Sequence, residues 1–236
     1  MPLNQPHSYS VTSCELSVDH FEWSFRHNYA QEISHYWTHR CSDNPHFFDG
    51  TVHLLSDFNT DKGHFRGKLF PIDFKSFLYW REHGHKDCTV YDIFGSALLR
   101  SKEGAVLLGR QRKGHINQGL FYFPGGFIDP RDVVSNKVCI RSSVVREVVE
   151  ETGLPFSHLL PCPNFVITEC QRQISIGVEI KTHLSTWELI NTITNYLSKD
   201  SHSELEEVIA VSHHSQIDPL KVPKYASTLL DYVLRC

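Results

Sequence analysis

Two short stretches decide the fold: PGGFID at residues 124–129 and REVVEETGL at residues 146–154. The paired glycines follow an apolar segment and allow backbone conformations that are closed to other residues. In the second stretch, a helical rotation of about 100° per residue places three carboxylates within one arc of roughly 100°. These are Glu147, Glu150 and Glu151. The sequence therefore predicts an acidic helix face close to a glycine-rich bend.

The helix is predicted to run from about Ser142 to Thr152. Its valines occupy a different arc, which suits packing on a sheet while the acidic side faces a cleft. They are Val145, Val148 and Val149. Gly153 suits the left-handed residue that ends a helix, and Pro155 prevents continuation.

Three carboxylates on one face repel each other unless a cation lies between them. Glutamate oxygens and a backbone carbonyl are the hard ligands that magnesium prefers. Such an ion bridges the oxygens of a diphosphate, stabilises charge on the leaving group and helps make a bound water nucleophilic. The pattern therefore predicts hydrolysis assisted by Mg²⁺, with Mn²⁺ as the alternative ion. A solvated acidic helix face is the simpler interpretation of the three residues taken alone.

Residues 126–154 resemble the Nudix box, a pattern of glycine, five residues, glutamate, seven residues, and then Arg-Glu-apolar-x-Glu-Glu-x-Gly-apolar. The second half matches at every defined position. The resemblance implies that Glu147, Glu150 and Glu151 are metal ligands or, for one of them, the base that activates water. It also implies that the Gly125 carbonyl is a further ligand and that Arg146 holds the loop to the helix.

The first half of the box departs from this pattern. Asp132 stands where the pattern has its first glutamate, and thirteen residues, 133–145, separate it from Arg146. The six additional residues are expected to bulge between loop and helix and to reshape the cleft without abolishing activity.

A further resemblance extends over most of the chain. The string formed by Trp37, Arg40, Asn44-Pro45 and Phe48-Asp49-Gly50, followed by a lengthened box, resembles the Nudix relatives that hydrolyse UDP-glucose and UDP-galactose. It implies a UDP-sugar substrate, with UMP and a sugar 1-phosphate as products. ADP-ribose or a dinucleotide is the alternative substrate. A nucleotide-sugar sensor without catalysis is the alternative from another class, suggested by the altered first half of the box.

Substrate-binding residues are predicted around the same loop. Gly125 and Gly126 are placed against the substrate, and Arg110 and Arg112 are candidates for holding phosphate oxygens in a fork. Surface ion pairing explains both arginines almost as well. By resemblance, a late carboxylate precedes the apolar run Val208–Val211, and Glu207 is preferred there over Glu204. The alternative for Glu207 is a polar residue at the exposed start of a strand.

Turns and apolar patterning divide the chain into a small α+β domain at residues 1–86 and a Nudix domain at residues 87–236. The second is predicted to be an α/β/α sandwich with a mixed sheet. Predicted helices lie near Tyr29–Arg40, Ile72–Arg81, Ser185–Leu197 and Lys224–Leu234. Asp49-Gly50 predicts a tight hairpin turn between His46–Phe48 and Thr51–Leu55. Further strands are predicted at Thr89–Leu99, Ala105–Arg110, Leu120–Phe123, Phe165–Cys170, Ile174–Lys181 and Glu207–Ser212.

Composition restricts the class of partner. The net charge is −4, and no basic run is long enough to follow a nucleic acid backbone, so a small nucleotide is the expected partner. Seven cysteines without paired spacing indicate free thiols in a reducing compartment. No segment reaches the roughly 20 apolar residues that span a bilayer, so a cytoplasmic location is expected.

Two other residue types invite a functional interpretation. The histidine pairs His83 with His85 and His213 with His214 do not complete a set of four zinc ligands, so they are interpreted as surface or hydrogen-bonded residues. Phe47, Phe48 and Trp80 are predicted to be core residues, because aromatic side chains dominate core burial, with a base-stacking surface as the alternative.

Overall fold

A mixed sheet of twelve strands runs through the chain, for which a computed structural model describes residues 5–43, 47–200 and 203–235. The strands are β1 (His7–Val11), β2 (Ser13–Val18), β3 (Thr51–Asp61), β4 (His64–Asp73), β5 (Tyr91–Arg100), β6 (Val106–Gln111), β7 (Phe121–Tyr122), β8 (Val133–Val134), β9 (Lys137–Val138), β10 (Leu160–Cys170), β11 (Gln173–Lys181) and β12 (Leu205–Val211). The helices are α1 (Ser24–Asn28), α2 (Ala30–Asp43), α3 (Phe74–Glu82), α4 (Ile140–Thr152), α5 (Thr186–Leu197) and α6 (Lys224–Val233).

The order of the sheet places β5 at its centre. The path runs β1-β10-β11-β5-β3-β4-β2-β9-β8, and β6 branches from β5 and pairs with β12 and β7. Two pairings are parallel, β11 with β5 and β2 with β4, and the remaining ones are antiparallel. Helices α4 and α5 share one apolar core with the sheet, and α6 contributes to a second core. The predicted α/β/α class with a mixed sheet is therefore confirmed.

Helix α4 packs directly against the centre of the sheet. Its apolar face, which includes Val144, Val145 and Val148, is buried. Gly95 on β5 allows the close approach, because a Cβ atom there would lie 2.4 Å from Val144 Cγ2. The helix begins two residues earlier than predicted and ends as predicted, with Gly153 in the left-handed region at φ +67°.

Most of the other predicted elements are confirmed with small shifts of their ends. The hairpin at Asp49-Gly50 is wrong, because β3 pairs with β4 through a turn at Lys62-Gly63. Asp49 instead accepts a hydrogen bond from the Lys75 backbone N–H at 3.0 Å, at the start of α3. His46 and Asn44-Pro45 lie outside the described residues.

The aromatic prediction is correct for Trp80, which is fully buried, and wrong for Phe48, which is 80% exposed. Phe47 is half-buried. A separate aromatic core lies under α3 and β4, with Trp23, Phe70 and Trp80 among its members.

The amino-terminal part of the chain is joined to the rest by strand pairing. β1 pairs with β10 and β3 pairs with β5. The main core also mixes both parts, since Leu16 and Leu55 pack in one cluster with residues of α4 and β11. The division between residues 86 and 87 stays a prediction about sequence organisation.

The additional residues of the box form a small hairpin. β8 and β9 pair through Ser135 and Asn136, which both have positive φ. β9 then pairs with β2, with Leu16 opposite Val138. The expected bulge is therefore an ordered element that attaches the segment before α4 to the amino-terminal part.

We expect the isolated segment 87–236 to lose cooperative folding, because it lacks the partners of β5, β9 and β10 and exposes shared core side chains. Thermal unfolding and hydrogen exchange of this segment, compared with the full chain, provide the measurement. A sharp unfolding transition close to that of the full chain would contradict the expectation.

Two further observations concern the described residues only. Six cysteines there are free thiols, as predicted: Cys14, Cys41, Cys88, Cys139, Cys162 and Cys170. Cys236 lies outside the described residues. No helix in the described ranges has the length and apolar character needed to cross a membrane.

Candidate functional site

A cavity of about 470 Å³ opens beside the glycine-rich bend, a size suited to a small-molecule ligand. Its lining has three parts that differ in chemistry. The carboxylate wall contains Gly125, Gly126, Glu147 and Glu204. The aromatic wall contains Phe47, Phe48, Phe74 and Phe127. The polar end contains Arg81, Asp92 and Gln173.

The glycine-rich bend lies along strand β5 and is fixed to it by backbone hydrogen bonds. The Pro124 carbonyl accepts from the Ala97 N–H at 2.7 Å, and the Gly126 carbonyl accepts from the Gly95 N–H at 3.1 Å. Gly125 between them has φ +147°, and a Cβ atom there would lie 2.3 Å from the Gly95 carbonyl oxygen. Glycine is required at this position because any side chain would collide with the strand.

Glu151 is the buried member of the acidic helix face, with 4% of its surface exposed. Its Oε2 accepts from the Gly125 N–H at 2.9 Å, and its Oε1 accepts from the Tyr122 hydroxyl at 3.2 Å. Burial, with added repulsion from Glu204 and Glu147, raises the pKa of Glu151 well above its usual value. Glu151 is therefore not part of a solvated helix face, because the bend and Tyr122 cover it.

Glu147 lies against the bend one turn earlier in α4. A Cβ atom on Gly126 would be 3.0 Å from Glu147 Oε2, so the absence of a side chain there leaves room for the carboxylate. Burial raises the pKa of Glu147 to about 7, although Arg146 at 2.6 Å opposes the increase. Glu150 and Glu204 raise it further by repulsion.

Arg146 links the bend to the helix, as the resemblance implied. Its guanidinium contacts Asp132 at 2.9 Å and Glu150 at 3.2 Å in addition to Glu147. Asp132, which replaces the first glutamate of the box, has only 4% of its side chain exposed and serves as a partner of Arg146. Glu150 faces outward with 48% of its side chain exposed, and its Oε1 also lies 3.5 Å from Arg131.

Five of the predicted residues lie outside the cavity lining: Glu150, Glu151, Arg110, Arg112 and Glu207. Arg110 pairs with Glu207 at 2.7 Å and with Glu206 at 3.2 Å. Arg112 donates to the carbonyls of Ser203 at 2.9 Å and Leu205 at 3.1 Å, which fixes the start of β12. The roles assigned to Arg110, Arg112 and Glu207 stay predictions, whereas Glu204, the second choice for the late carboxylate, does line the cavity.

Sequence reasoning assigned no role to several residues that the fold brings to the cavity. Asp129 and Arg131 pair at 2.6 Å beside the carboxylate wall. Asp129 belongs to the stretch PGGFID at residues 124–129, so the sequence did point to this position. Arg81 and Asp92 come from α3 and β5, and only the tertiary fold brings them together.

The donor chemistry of the carboxylate wall fits a hard divalent cation. Repulsion from Glu204 raises the pKa of both Glu147 and Glu151, and repulsion from Glu147 also raises that of Glu151, so negative charge accumulates beside the bend. A cation relieves that repulsion, and carboxylate and carbonyl oxygens are its preferred ligands. In residues 5–43, 47–200 and 203–235, no group of three or more His, Cys, Asp or Glu side chains is arranged to enclose a metal ion. The residues of this wall therefore fit a divalent cation in the type and charge of their donor atoms.

A sheet between helices, with a glutamate-bearing helix against a glycine-rich bend, is the arrangement expected of a pyrophosphohydrolase with this sandwich fold. A family model described as NUDIX domain matches residues 93–220, more than half of the chain, and the chain belongs to this family. Membership of this family confirms the prediction that the chain is a Nudix pyrophosphohydrolase.

Solved structures similar to this chain include two that are matched over most of their own length. The MutT protein from Methanosarcina mazei Go1 is 22% identical over 61% of this chain and 94% of its own, with a TM-score of 0.42. The Nudix hydrolase RenU from M. smegmatis is 16% identical over 61% of this chain and 83% of its own, with a TM-score of 0.40.

A third similar structure belongs to a longer protein. The bifunctional NMN adenylyltransferase/ADP ribose pyrophosphatase from Francisella tularensis, complexed with AMP and a Mn ion, is 16% identical over 67% of this chain, with a TM-score of 0.44. This chain spans 45% of that protein's length. No curated protein is similar enough to match.

Proposed function

We propose that this Nudix pyrophosphohydrolase cleaves the pyrophosphate bond of a UDP-sugar and releases UMP and a sugar 1-phosphate. The observation that carries the proposal is a single cavity in which a carboxylate wall, an aromatic wall and a polar end adjoin. These three surfaces match the pyrophosphate, the base and the sugar of such a substrate. The resemblance of the amino-terminal string to UDP-sugar hydrolases supports the choice of base and sugar.

Mg²⁺, or Mn²⁺ in its place, is proposed to bind at the carboxylate wall. The Gly125 carbonyl, Glu147 and Glu151 are the proposed ligands nearest the bend, and Glu150, whose side chain is 48% exposed, would complete the set. When bound, the ion supplies positive charge to the pyrophosphate oxygens and lowers the pKa of a water. The hydrogen bonds from Gly125 and Tyr122 orient Glu151 for this role.

The protein's own groups hold and orient the substrate. Gly126 presents backbone without a side chain, which allows close approach of phosphate oxygens beside Glu147. Arg131, with 62% of its side chain exposed at the cavity, would donate to those oxygens after leaving its ion pair with Asp129 at 2.6 Å. Glu204 is the proposed acceptor for the proton of the attacking water, because it is the late carboxylate that lines the cavity.

The aromatic wall is suited to stacking a nucleobase. Phe48 is 80% exposed, and Phe127 is held by Phe74 at 6.2 Å and by Phe77 at 5.0 Å between ring centroids. A phenylalanine at a cavity mouth gains from contact with a flat ligand, since stacking of a base on an aromatic ring is worth about 1–3 kcal/mol.

A substrate panel tests the proposal. Purified protein with Mg²⁺ is incubated with UDP-glucose, UDP-galactose, ADP-ribose and a dinucleotide, and products are separated by chromatography. UMP should form, and inorganic phosphate should appear only after a phosphatase is added. Preference for ADP-ribose or a dinucleotide would overturn the UDP-sugar assignment. Binding of intact UDP-sugar without turnover would identify a sensor.

The proposed metal site also predicts a pH dependence of stability. The pKa of Glu147 is about 7 in the folded protein against an ordinary value of 4.5, so between these values the folded chain holds a proton that the unfolded chain has released. Stability of the metal-free protein should therefore fall as pH rises from about 4.5 to 7. Thermal unfolding in EDTA at about pH 6 and pH 8 measures this trend.

Two comparisons control the pH experiment. Mn²⁺ should raise the melting temperature more at pH 8 than at pH 6, because the ion competes with the proton for Glu147. Glu147→Gln should reduce both the pH trend in EDTA and the gain from Mn²⁺. An unchanged pH trend in Glu147→Gln would assign the effect to other titrating groups.

A further inference from the structure

Asp92 at the polar end of the cavity is a buried carboxylate with an unfilled hydrogen-bonding position. It is 1% exposed on β5, and its Oδ2 accepts from Gln173 Nε2 at 3.1 Å. Its Oδ1 is buried without a hydrogen-bond partner among the described residues. Both Asp92 and Gln173 line the cavity. The carboxylate is therefore half satisfied in the wall of a ligand-sized space.

This arrangement destabilises the folded protein as long as no ligand contacts Asp92. A buried polar atom without a partner costs about 1–3 kcal/mol, and more when it is charged. Burial accordingly raises the pKa of Asp92, and the positive charge of Arg81 opposes that increase. Arg81 itself donates to Asn117 Oδ1 at 2.6 Å. Asp92 thus lines the cavity and has one buried carboxylate oxygen without a partner, and a ligand that reaches this oxygen would supply the missing donor.

We propose that Asp92, Gln173 and Arg81 form the subsite for the sugar half of the substrate, in which Asp92 Oδ1 accepts a hydrogen bond from a sugar hydroxyl. This inference rests on the proposed function and deepens it. A hydroxyl-rich ring offers several donors and acceptors, which suits a carboxylate beside an amide and a guanidinium. A phosphate group is disfavoured near Asp92 by charge, and the aromatic wall provides a separate surface for the base.

The test uses Asp92→Asn. The amide oxygen can keep the bond from Gln173, so the NH₂ group takes the place of Oδ1 and presents a donor where the sugar hydroxyl also donates. We expect the KM for UDP-glucose to rise about tenfold or more. The inhibition constant of UDP, which lacks the sugar, should stay within about twofold of the wild-type value.

A control variant and a set of analogues make the test independent of folding. Glu179→Gln removes a carboxylate on β11 that pairs with Arg100 at 2.8 Å outside the cavity lining, and it should leave both constants unchanged. With wild-type protein, UDP-glucose analogues that each lack one hydroxyl should include at least one with a KM raised about tenfold. That analogue should lose no further affinity in Asp92→Asn.

The outcomes separate the two proposals. Wild-type protein that neither hydrolyses UDP-sugars nor is inhibited by UDP would overturn the proposed function, and the sugar subsite with it. Wild-type turnover with an unchanged KM in Asp92→Asn would overturn only the subsite. An equal loss of affinity for UDP and UDP-glucose would also overturn it, because Asp92 would then contact the nucleotide half.

Discussion

Glu151→Gln is expected to lower kcat for the pyrophosphate substrate by about a hundredfold or more, because it removes a charged oxygen from the proposed metal site. The melting temperature in EDTA should be equal to or above that of the wild type. Glu151 is buried beside Glu147 and Glu204, and its neutral replacement removes their repulsion. Steady-state kinetics with Mg²⁺ and thermal unfolding in EDTA measure the two effects.

Glu169→Gln provides a matched control for this variant. Glu169 is a partly buried carboxylate whose Oε1 accepts from the Tyr9 hydroxyl at 2.8 Å, much as Glu151 accepts from Tyr122. It lies on β10 and pairs with Tyr9, whereas Glu151 also accepts from Gly125 of the bend, so its replacement should leave kcat unchanged. Equal turnover of Glu151→Gln and wild type would remove Glu151 from the mechanism. A large loss in both variants would indicate a general structural effect.

The acidic helix could be predicted from sequence because its determinants are local. Helical rotation alone places Glu147, Glu150 and Glu151 on one face, and Gly153 marks the end of the helix. What the periodicity could not show is how the three differ. Glu151 is covered by Gly125 and Tyr122, Glu147 lies against Gly126, and Glu150 faces outward. These environments come from segments outside the helix.

The hairpin error has a similar origin. Asp49-Gly50 has the composition of a tight turn, but Asp49 is bonded to the start of α3 and the Gly50 carbonyl accepts from the Phe74 N–H at 2.8 Å. The observed turn at Lys62-Gly63 is equally short and joins strands whose partners fit over ten residue pairs. The composition of a turn identifies a change of direction, and pairing of the flanking strands decides which segments it joins.

The late carboxylate shows a third limit of sequence reasoning. The resemblance to the Nudix family favoured Glu207, which lies opposite Arg110 in the β12–β6 pairing. The register shifts between Leu205 and Glu207, so alternation along the strand does not carry through to Glu204. Glu204 lies just before that irregularity and lines the cavity. A bulge of this kind has no reliable signature in a single sequence.

The strands β1 and β2 were not predicted because their partners are remote. His7 pairs with Glu169, and Leu16 pairs with Val138 in the hairpin of the lengthened box. A short segment without strong alternation gives little local signal, and its strand state depends on those distant contacts. The hairpin formed by the additional residues of the box is therefore held in the sheet by strand β2 of the amino-terminal part.

Gly125→Ala is expected to destabilise the protein by about 3 kcal/mol and to abolish most turnover. The added Cβ would lie 2.3 Å from the Gly95 carbonyl oxygen and 3.2 Å from Ser96 Cα, so either the bend or β5 must move. Movement of the bend would displace the Gly125 N–H from Glu151 and the Gly125 carbonyl from the proposed metal site. For a chain of this size the melting temperature should fall by roughly 10 °C.

Gly104→Ala is the control for Gly125→Ala, because it introduces backbone strain without a steric collision. Gly104 also has a positive φ, +89°, but nothing lies within 4 Å of a Cβ atom built there. This variant should lose only about 1 kcal/mol, the cost of placing a side chain in the left-handed region, and keep wild-type kcat. Thermal unfolding and kinetics of both variants decide the matter. If the two lose equal stability and both remain active, contact between the bend and β5 does not constrain Gly125, and its placement of Glu151 must be reconsidered.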